Sequence, residues 1–259
     1  NILNKIKNGG IKMKKIILGI ALSVLALQSC KKDDDEVTDE TVVLTVEEQN
    51  TYDDAAAQRF LERHYFDSKG LIVAFDETIT TDDNYPKLSS YNPVKLPSGV
   101  IYIIKTDAQP NPGKVVNPTD IISLMQVTKS YASAKIDGNI TFTNEATFIN
   151  NLTGTGVPST DPAYFYVKNS VLKSFNTTNS TTHGRSFYEI EGLQEGLKYF
   201  KSFELDNSAD YNMQGVIIVP SRAAFARDAN IYGVSYNNRT FVFNFQLYNT
   251  KTRNMETED

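Results

Sequence analysis

Cys30 is the only cysteine in this chain of 259 residues, and it limits how the fold can be held together. A single thiol cannot form a disulfide within the chain, and it cannot supply the Cys pairs of a zinc site. The two histidines, His64 and His183, lie far apart in sequence and lack metal-ligand spacing. We therefore predict a fold that depends on an ordinary hydrophobic core, without metal or cofactor.

Residues 13–30 have the pattern of a secretory signal. Met13 is followed by two lysines, an apolar run from Ile16 to Leu27, and the small residue Ser29 before the cysteine. The run is shorter than the ~20 residues that cross a bilayer, which favours a cleavable signal. A buried core helix and a plain membrane anchor are the alternatives. We expect residues 1–12 to lie upstream of the true start.

Leu27 to Cys30 resembles the bacterial lipobox, in which the cysteine is diacylated and becomes the first mature residue. Residues 31–36 (KKDDDE) resemble the acidic surface-export signal of Bacteroidetes lipoproteins, although such a run is also typical of a solvated tether. These resemblances imply a signal peptide within 1–29, lipidation at Cys30 and a flexible acidic stalk over 30–50. They imply an outer-membrane lipoprotein, facing either the periplasm or the cell exterior.

The composition argues against nucleic acid as a partner. The net charge is −5, and there is no basic cluster beyond the head of the signal. No Walker, Rossmann or G-x-S-x-G signature occurs, and Gly154-Thr155-Gly156 lies in a polar stretch typical of a turn. Tyr and Phe, at 14 each, together with many Thr and Asn, favour a β-rich fold.

The segment Thr51 to Phe66 has the spacing of an amphipathic helix. Ala57, Phe60, Leu61 and His64 fall at i, i+3, i+4 and i+7. We interpret His64 as a packed side chain rather than a ligand. The helix belongs to an N-terminal helical appendage and connecting segment over 51–97.

Further along the chain, strand-like segments surround one short helix. The helix is predicted over Gly192 to Phe200, and residues 130–185, mostly polar and poorly periodic, are predicted to be an insertion. The tail 251–259 is polar and expected to be loose. This order favours an α+β fold with a sheet wrapped on one helix. The predicted strands are 71–75, 99–105, 120–128, 187–190, 215–219 and 240–248.

Three segments resemble, in order and spacing, motifs of the FKBP family of peptidyl-prolyl isomerases. They are 189–197 (EIEGLQEGL), 215–226 (GVIIVPSRAAFA) and 240–247 (TFVFNFQL). Weaker matches lie at 98–102, 120–126 and, for the flap, 136–142. The resemblance implies an FKBP-like antiparallel sheet around a short helix over 98–250. The N-terminal helix is similar to the leader segment of FKBP-like lipoproteins from Bacteroidetes.

The resemblance also implies an apolar pocket that holds a proline ring, with several family features replaced. Leu193 stands at the Trp floor, Phe225 at a Tyr hydroxyl donor, and Thr143 at the flap carboxylate. Simple core packing is the alternative role for Ile190, Leu193 and Phe243, and Gly192 and Gly196 indicate tight strand–helix packing. We assign no catalytic residue from the sequence. The pocket candidates are Gln126, Phe142, Ile190, Leu193, Phe225, Tyr232, Val234 and Phe243.

Three classes of function stay open at the level of sequence. The first is a prolyl isomerase or chaperone that binds Pro-containing segments of exported proteins. The second is an FKBP-like binding or scaffold protein of the cell envelope with a degraded site. The third is an unrelated cell-surface module. Because the Trp, the Tyr hydroxyl and the carboxylate are replaced, we expect no strong isomerase activity.

Overall fold

The N-terminal helix begins earlier than predicted because Thr45 and Glu48 form a capping box. In the computed structural model, which describes residues 43–259, α1 runs over Val46–Arg63. The Thr45 hydroxyl accepts from the Glu48 N–H at 3.2 Å, and Glu48 Oε2 accepts from the Thr45 N–H at 2.8 Å. His64 is already extended. The predicted helix is therefore correct in kind, but it takes in residues expected in the stalk and ends before Phe66.

The described residues contain three helices and eleven strands. The helices are α1, α2 (Asn169–Asn179) and α3 (Glu191–Leu197). The strands are β1 (His64–Phe66), β2 (Ile72–Ala74), β3 (Val94–Lys95), β4 (Ile101–Ile104), β5 (Lys114–Val115), β6 (Ile121–Ile136), β7 (Asn139–Asn150), β8 (Ser159–Thr160), β9 (Lys201–Ser202), β10 (Gly215–Val219) and β11 (Thr240–Lys251). No helix among residues 43–259 is long and apolar enough to cross a bilayer.

The main sheet is antiparallel, with the strand order β3-β4-β10-β11-β6-β7 and β8 paired to β6. Its centre is β11, the last strand in sequence, and α3 packs against β10. Two small sheets, β1-β2 and β5-β9, lie apart from it. The predicted α+β class, with an antiparallel sheet on a short helix and a further N-terminal helix, is confirmed, and the arrangement is consistent with an FKBP-like fold.

The region 130–185 is more regular than its sequence indicated. The strand predicted to end at Thr128 continues to Ile136 and turns back into β7 at Asp137-Gly138, where both residues have positive φ. The segment also contains β8 and α2. In contrast, the strand predicted over 187–190 does not form, because a 3₁₀ turn over Arg185–Phe187 leads directly towards α3.

Each face of the main sheet is covered by a helix. On one face, α3 approaches β10 closely because its glycines have no side chain. A Cβ on Gly192 would lie 2.4 Å from Val219 Cγ1, and one on Gly196 would lie 2.7 Å from Ile217 Cγ2. The tight strand–helix packing predicted for these glycines is therefore confirmed. On the other face, α1 packs on β6 and β7, and its Phe60 and Leu61 share a core cluster with side chains of β10 and β11.

The buried carboxylate of Asp53 joins α1 to the sheet. Asp53 Oδ1 accepts hydrogen bonds from Gln49 Nε2 at 2.8 Å and Ser133 Oγ at 2.7 Å. Asp53 Oδ2 accepts from the Ser221 N–H at 2.9 Å and the Ser221 hydroxyl at 2.5 Å. The side chain is fully buried. Four donors from α1, β6 and the turn after β10 thus depend on one side chain.

The C-terminal residues are fastened to the domain, contrary to the expectation of a loose tail. The Tyr166 ring lies between the guanidinium groups of Arg185 and Arg253, at 4.3 and 4.5 Å. Arg253 is buried and also pairs with Asp161. Asp259 accepts a hydrogen bond from the Tyr166 hydroxyl at 2.8 Å. Arginine side chains, which the sequence pattern did not single out, therefore order this tail.

We expect Asp53→Ala to destabilise the domain by about 3 kcal/mol, because it leaves several buried donors unpaired. The measurement is urea denaturation of residues 43–259, compared with Asp83→Ala at an exposed position of the same acidic residue type. A loss no larger than that of Asp83→Ala would show that α1 is not held by this carboxylate.

Candidate functional site

Four of the pocket candidates lie together in the core between α3 and the main sheet. They are Ile190, Leu193, Phe225 and Phe243, and none is more than 2% exposed. Ile190 precedes α3, Leu193 lies within it, and Phe243 is on β11. These four side chains are therefore closed off from solvent by other residues of the described range 43–259.

Gln126 lies beside this cluster, and internal partners occupy its side-chain amide. Gln126 Nε2 donates to the Tyr164 hydroxyl, and Gln126 Oε1 accepts from Thr128 Oγ1 at 2.7 Å. Gln126 is fully buried, and burial raises the pKa of the Tyr164 hydroxyl well above its ordinary value. The two side chains form a neutral, satisfied pair that seals this part of the core.

Phe148 closes the cluster from the side of β7. Its ring meets four aromatic rings edge to face, with centroid distances of 5.1 to 5.3 Å. We call the four surrounding rings, with Phe148 at their centre, the aromatic cage. The surrounding rings are those of Tyr164, Tyr232, Tyr236 and Phe241.

Phe142 does not join the other candidates, because it lies on the opposite face of the sheet. Its ring stacks on Tyr131 at 5.0 Å and lies 5.7 Å from the ring of Phe60 on α1. The register between β6 and β7 shifts twice, between the pairs Thr128/Lys129 and Ser130/Ala132. Each extra residue exchanges the faces on which side chains point. Only the shift at Ser130/Ala132 lies between Phe142 and Phe148, and at the other shift Phe148 is itself the unpaired residue. The two rings therefore point to opposite faces, and Phe148, rather than Phe142, joins the cage.

The two loop candidates have different environments. The Tyr232 ring packs against Phe148 and lies 5.7 Å from Phe225, and burial raises the pKa of its hydroxyl to about 12. Val234, two residues further, is 84% exposed. Gly233 between them has a φ of +74°, which turns the chain away from the cage. Only Tyr232 therefore contributes to the cage.

The cage and the core cluster around it consist of apolar and aromatic side chains. Across residues 43–259, no group of three or more metal-ligating side chains comes together. The sequence showed short apolar pieces at Phe148 and at Tyr164, but their role depends on bulges and loop paths that periodicity does not reveal.

We expect Phe148→Ala to cost about 2–3 kcal/mol of stability, because it removes the ring at the centre of the cage. The matched control is Val234→Ala, which truncates an exposed side chain of the overhanging loop and should change stability by less than ~0.5 kcal/mol. Thermal and urea denaturation of both variants provide the measurement. Equal effects of the two substitutions would contradict a closed cage.

No protein-family model and no curated protein matches the chain. Among solved structures, the chain is similar to FkpA from Escherichia coli, with 21% identity and a TM-score of 0.33. The match covers 62% of this chain and 52% of that one, so the chain spans about half the length of FkpA. This likeness is too distant to transfer residue roles. Cys30, the predicted lipidation site, lies outside the described residues.

Proposed function

We propose that this chain is a binding or scaffold protein of FKBP-like fold, without strong prolyl isomerase activity. The observation that carries the proposal is the aromatic cage, whose central ring, Phe148, fills the place that the resemblance assigns to a proline ring. A proline ring in this place would have to displace Phe148 from four edge-to-face contacts.

The chemistry of the cluster supports the same proposal. Prolyl isomerisation has a barrier of about 18–20 kcal/mol, and a catalyst must favour the twisted amide with desolvation and oriented dipoles. At the positions that the resemblance assigns to polar or Trp side chains, Leu193 and Phe225 present only apolar atoms, and both are buried. The Gln126 amide and the Tyr164 hydroxyl are bonded to each other. These two polar groups are therefore not free to meet a substrate carbonyl.

We also propose that the chain is exported and held at the outer membrane through lipid on Cys30, with exported or envelope proteins as partners. The support is the signal pattern of residues 13–30 and the use of the only cysteine of the sequence at its end. Diacylation would meet the need for more than one acyl chain in stable anchoring. Protease accessibility on intact cells distinguishes a domain that faces the periplasm from one that faces the exterior.

A protease-coupled assay with a Pro-containing peptide tests the catalytic part of the proposal. We expect residues 43–259 to accelerate cis–trans isomerisation at least a hundredfold less than an ordinary FKBP domain at equal concentration. The segment begins at residue 43 so that the Thr45 cap is retained. Ordinary family-level rates would overturn the proposal, and binding of the peptide without catalysis would identify Pro-containing segments as partners.

Metabolic labelling with an alkyne fatty acid tests the anchor. The full chain should incorporate the label and fractionate with membranes, whereas Cys30→Ser should lose the label and accumulate as the uncleaved precursor. Ser29→Ala, which keeps a small residue before the cysteine, is the control and should behave like the original chain. Retention of label in Cys30→Ser would exclude lipidation at this residue.

A further inference from the structure

A concave surface lies on the face of the main sheet opposite the aromatic cage. A cavity of about 370 Å³ separates β2 from the surface of β6 and β11. A neighbouring cavity of about 540 Å³ extends towards the β6–β7 turn at Asp137 and Asn139. We call the two cavities together the back groove. They share the lining residues Phe60, His64, Ala74, Tyr131 and Glu145.

One wall of the back groove is the open edge of β2. At the ends of the β1–β2 pair, the Asp67 N–H donates to the Leu71 carbonyl and the Phe75 N–H donates to the Arg63 carbonyl. These two bonds show which backbone groups of β2 point towards β1. By the alternation of an antiparallel ladder, the backbone groups of Ile72 and Ala74 point outward. Asn244 Oδ1 accepts from the Ile72 N–H at 3.1 Å, and Asn244 lines the groove, so this edge faces into it.

The outward Ala74 N–H and the Ile72 and Ala74 carbonyls have no protein partner among residues 43–259. They present a short donor and acceptor pattern that an extended polypeptide complements along its own backbone. Apolar side chains lie next to these backbone groups. Val127 of β6 and Val242 of β11 line the floor below the edge, with the ring of Phe60 beside them.

Two charged side chains at the centre of the groove neutralise each other. Lys129 and Glu145 form an ion pair at 2.6 Å, and Glu145 Oε2 accepts from the Tyr131 hydroxyl at 3.1 Å. His64 Nδ1 lies 2.8 Å from the Phe60 carbonyl, which can only accept, so this nitrogen carries the proton. Burial lowers the pKa of the His64 imidazole. The centre of the groove therefore suits an uncharged, apolar side chain.

We propose that the back groove binds an extended peptide segment, which adds as a strand to the outer edge of β2 and places an apolar side chain over Val127 and Val242. The occupant is an uncharged segment without proline at its pairing positions, because proline has no N–H for the ladder. This site lies on the other face of the sheet from the cage. Peptide binding there therefore does not depend on the function proposed above.

The test uses three soluble heptapeptides of the form Lys-Thr-Val-X-Val-Thr-Glu, with Val, Leu or Phe as X, titrated into ¹⁵N-labelled residues 43–259. We expect saturable amide shifts centred on Ile72, Val73 and Ala74, with at least one peptide of the set binding. N-methylation of alternate amides should weaken binding about tenfold or more, because it removes ladder hydrogen bonds. The comparison of methylated and unmethylated peptides uses the protein without any substitution.

Ala74→Pro provides the matched change in the protein. It removes the outward N–H without touching the β1–β2 ladder, and its effect on Val73 favours the extended backbone already present. We expect about five- to tenfold weaker binding, while Ala74→Ser, which keeps the N–H, binds like the original chain. Failure of all three peptides to bind, shifts centred on the cage, or indifference to N-methylation would each overturn the proposal.

Discussion

The carboxylate of Asp53 is the interaction on which the two-sided architecture depends. It gathers donors from its own helix, from β6 and from the turn after β10, so α1 has one position on the sheet. Next to it, Arg222 donates to Asp54 at 2.7 Å and to the Ser98 carbonyl at 3.0 Å. Without this polar junction, Phe60 and Leu61 could pack on the sheet in several registers, because apolar contacts are non-directional.

The two faces of the sheet differ in what they leave accessible. On the α3 face, aromatic rings fill the space between helix, sheet and loops, and the candidates Ile190, Leu193, Phe225 and Phe243 are buried. On the α1 face, the helix and the β1–β2 pair cover the sheet only in part and leave the back groove between them. The surface that the family resemblance assigns to a proline ring is thus filled by side chains, while the N-terminal segment creates the concave surface of the back groove.

Local pattern was sufficient to predict the elements at the centre of the fold. The apolar run of β10 has the predicted ends, and the glycines of α3 pack as expected. Prediction failed where residues far apart in sequence decide the structure. Phe142 and Phe148 cannot be assigned to faces without the two bulges of β7, and the tail is ordered by Arg253 meeting Asp161 and Tyr166. The burial of the candidate site also depends on contacts between residues far apart in sequence.

The central place of β11 has a consequence for when the domain can assemble. Without residues 240–251, the main sheet divides into β3-β4-β10 and β6-β7, two fragments with no shared hydrogen bonds. Both fragments depend on a strand that lies far from β4 and β6 in sequence, and contacts of long sequence separation form slowly. The main sheet can therefore form as one unit only after residues 240–251 are available to join the two fragments.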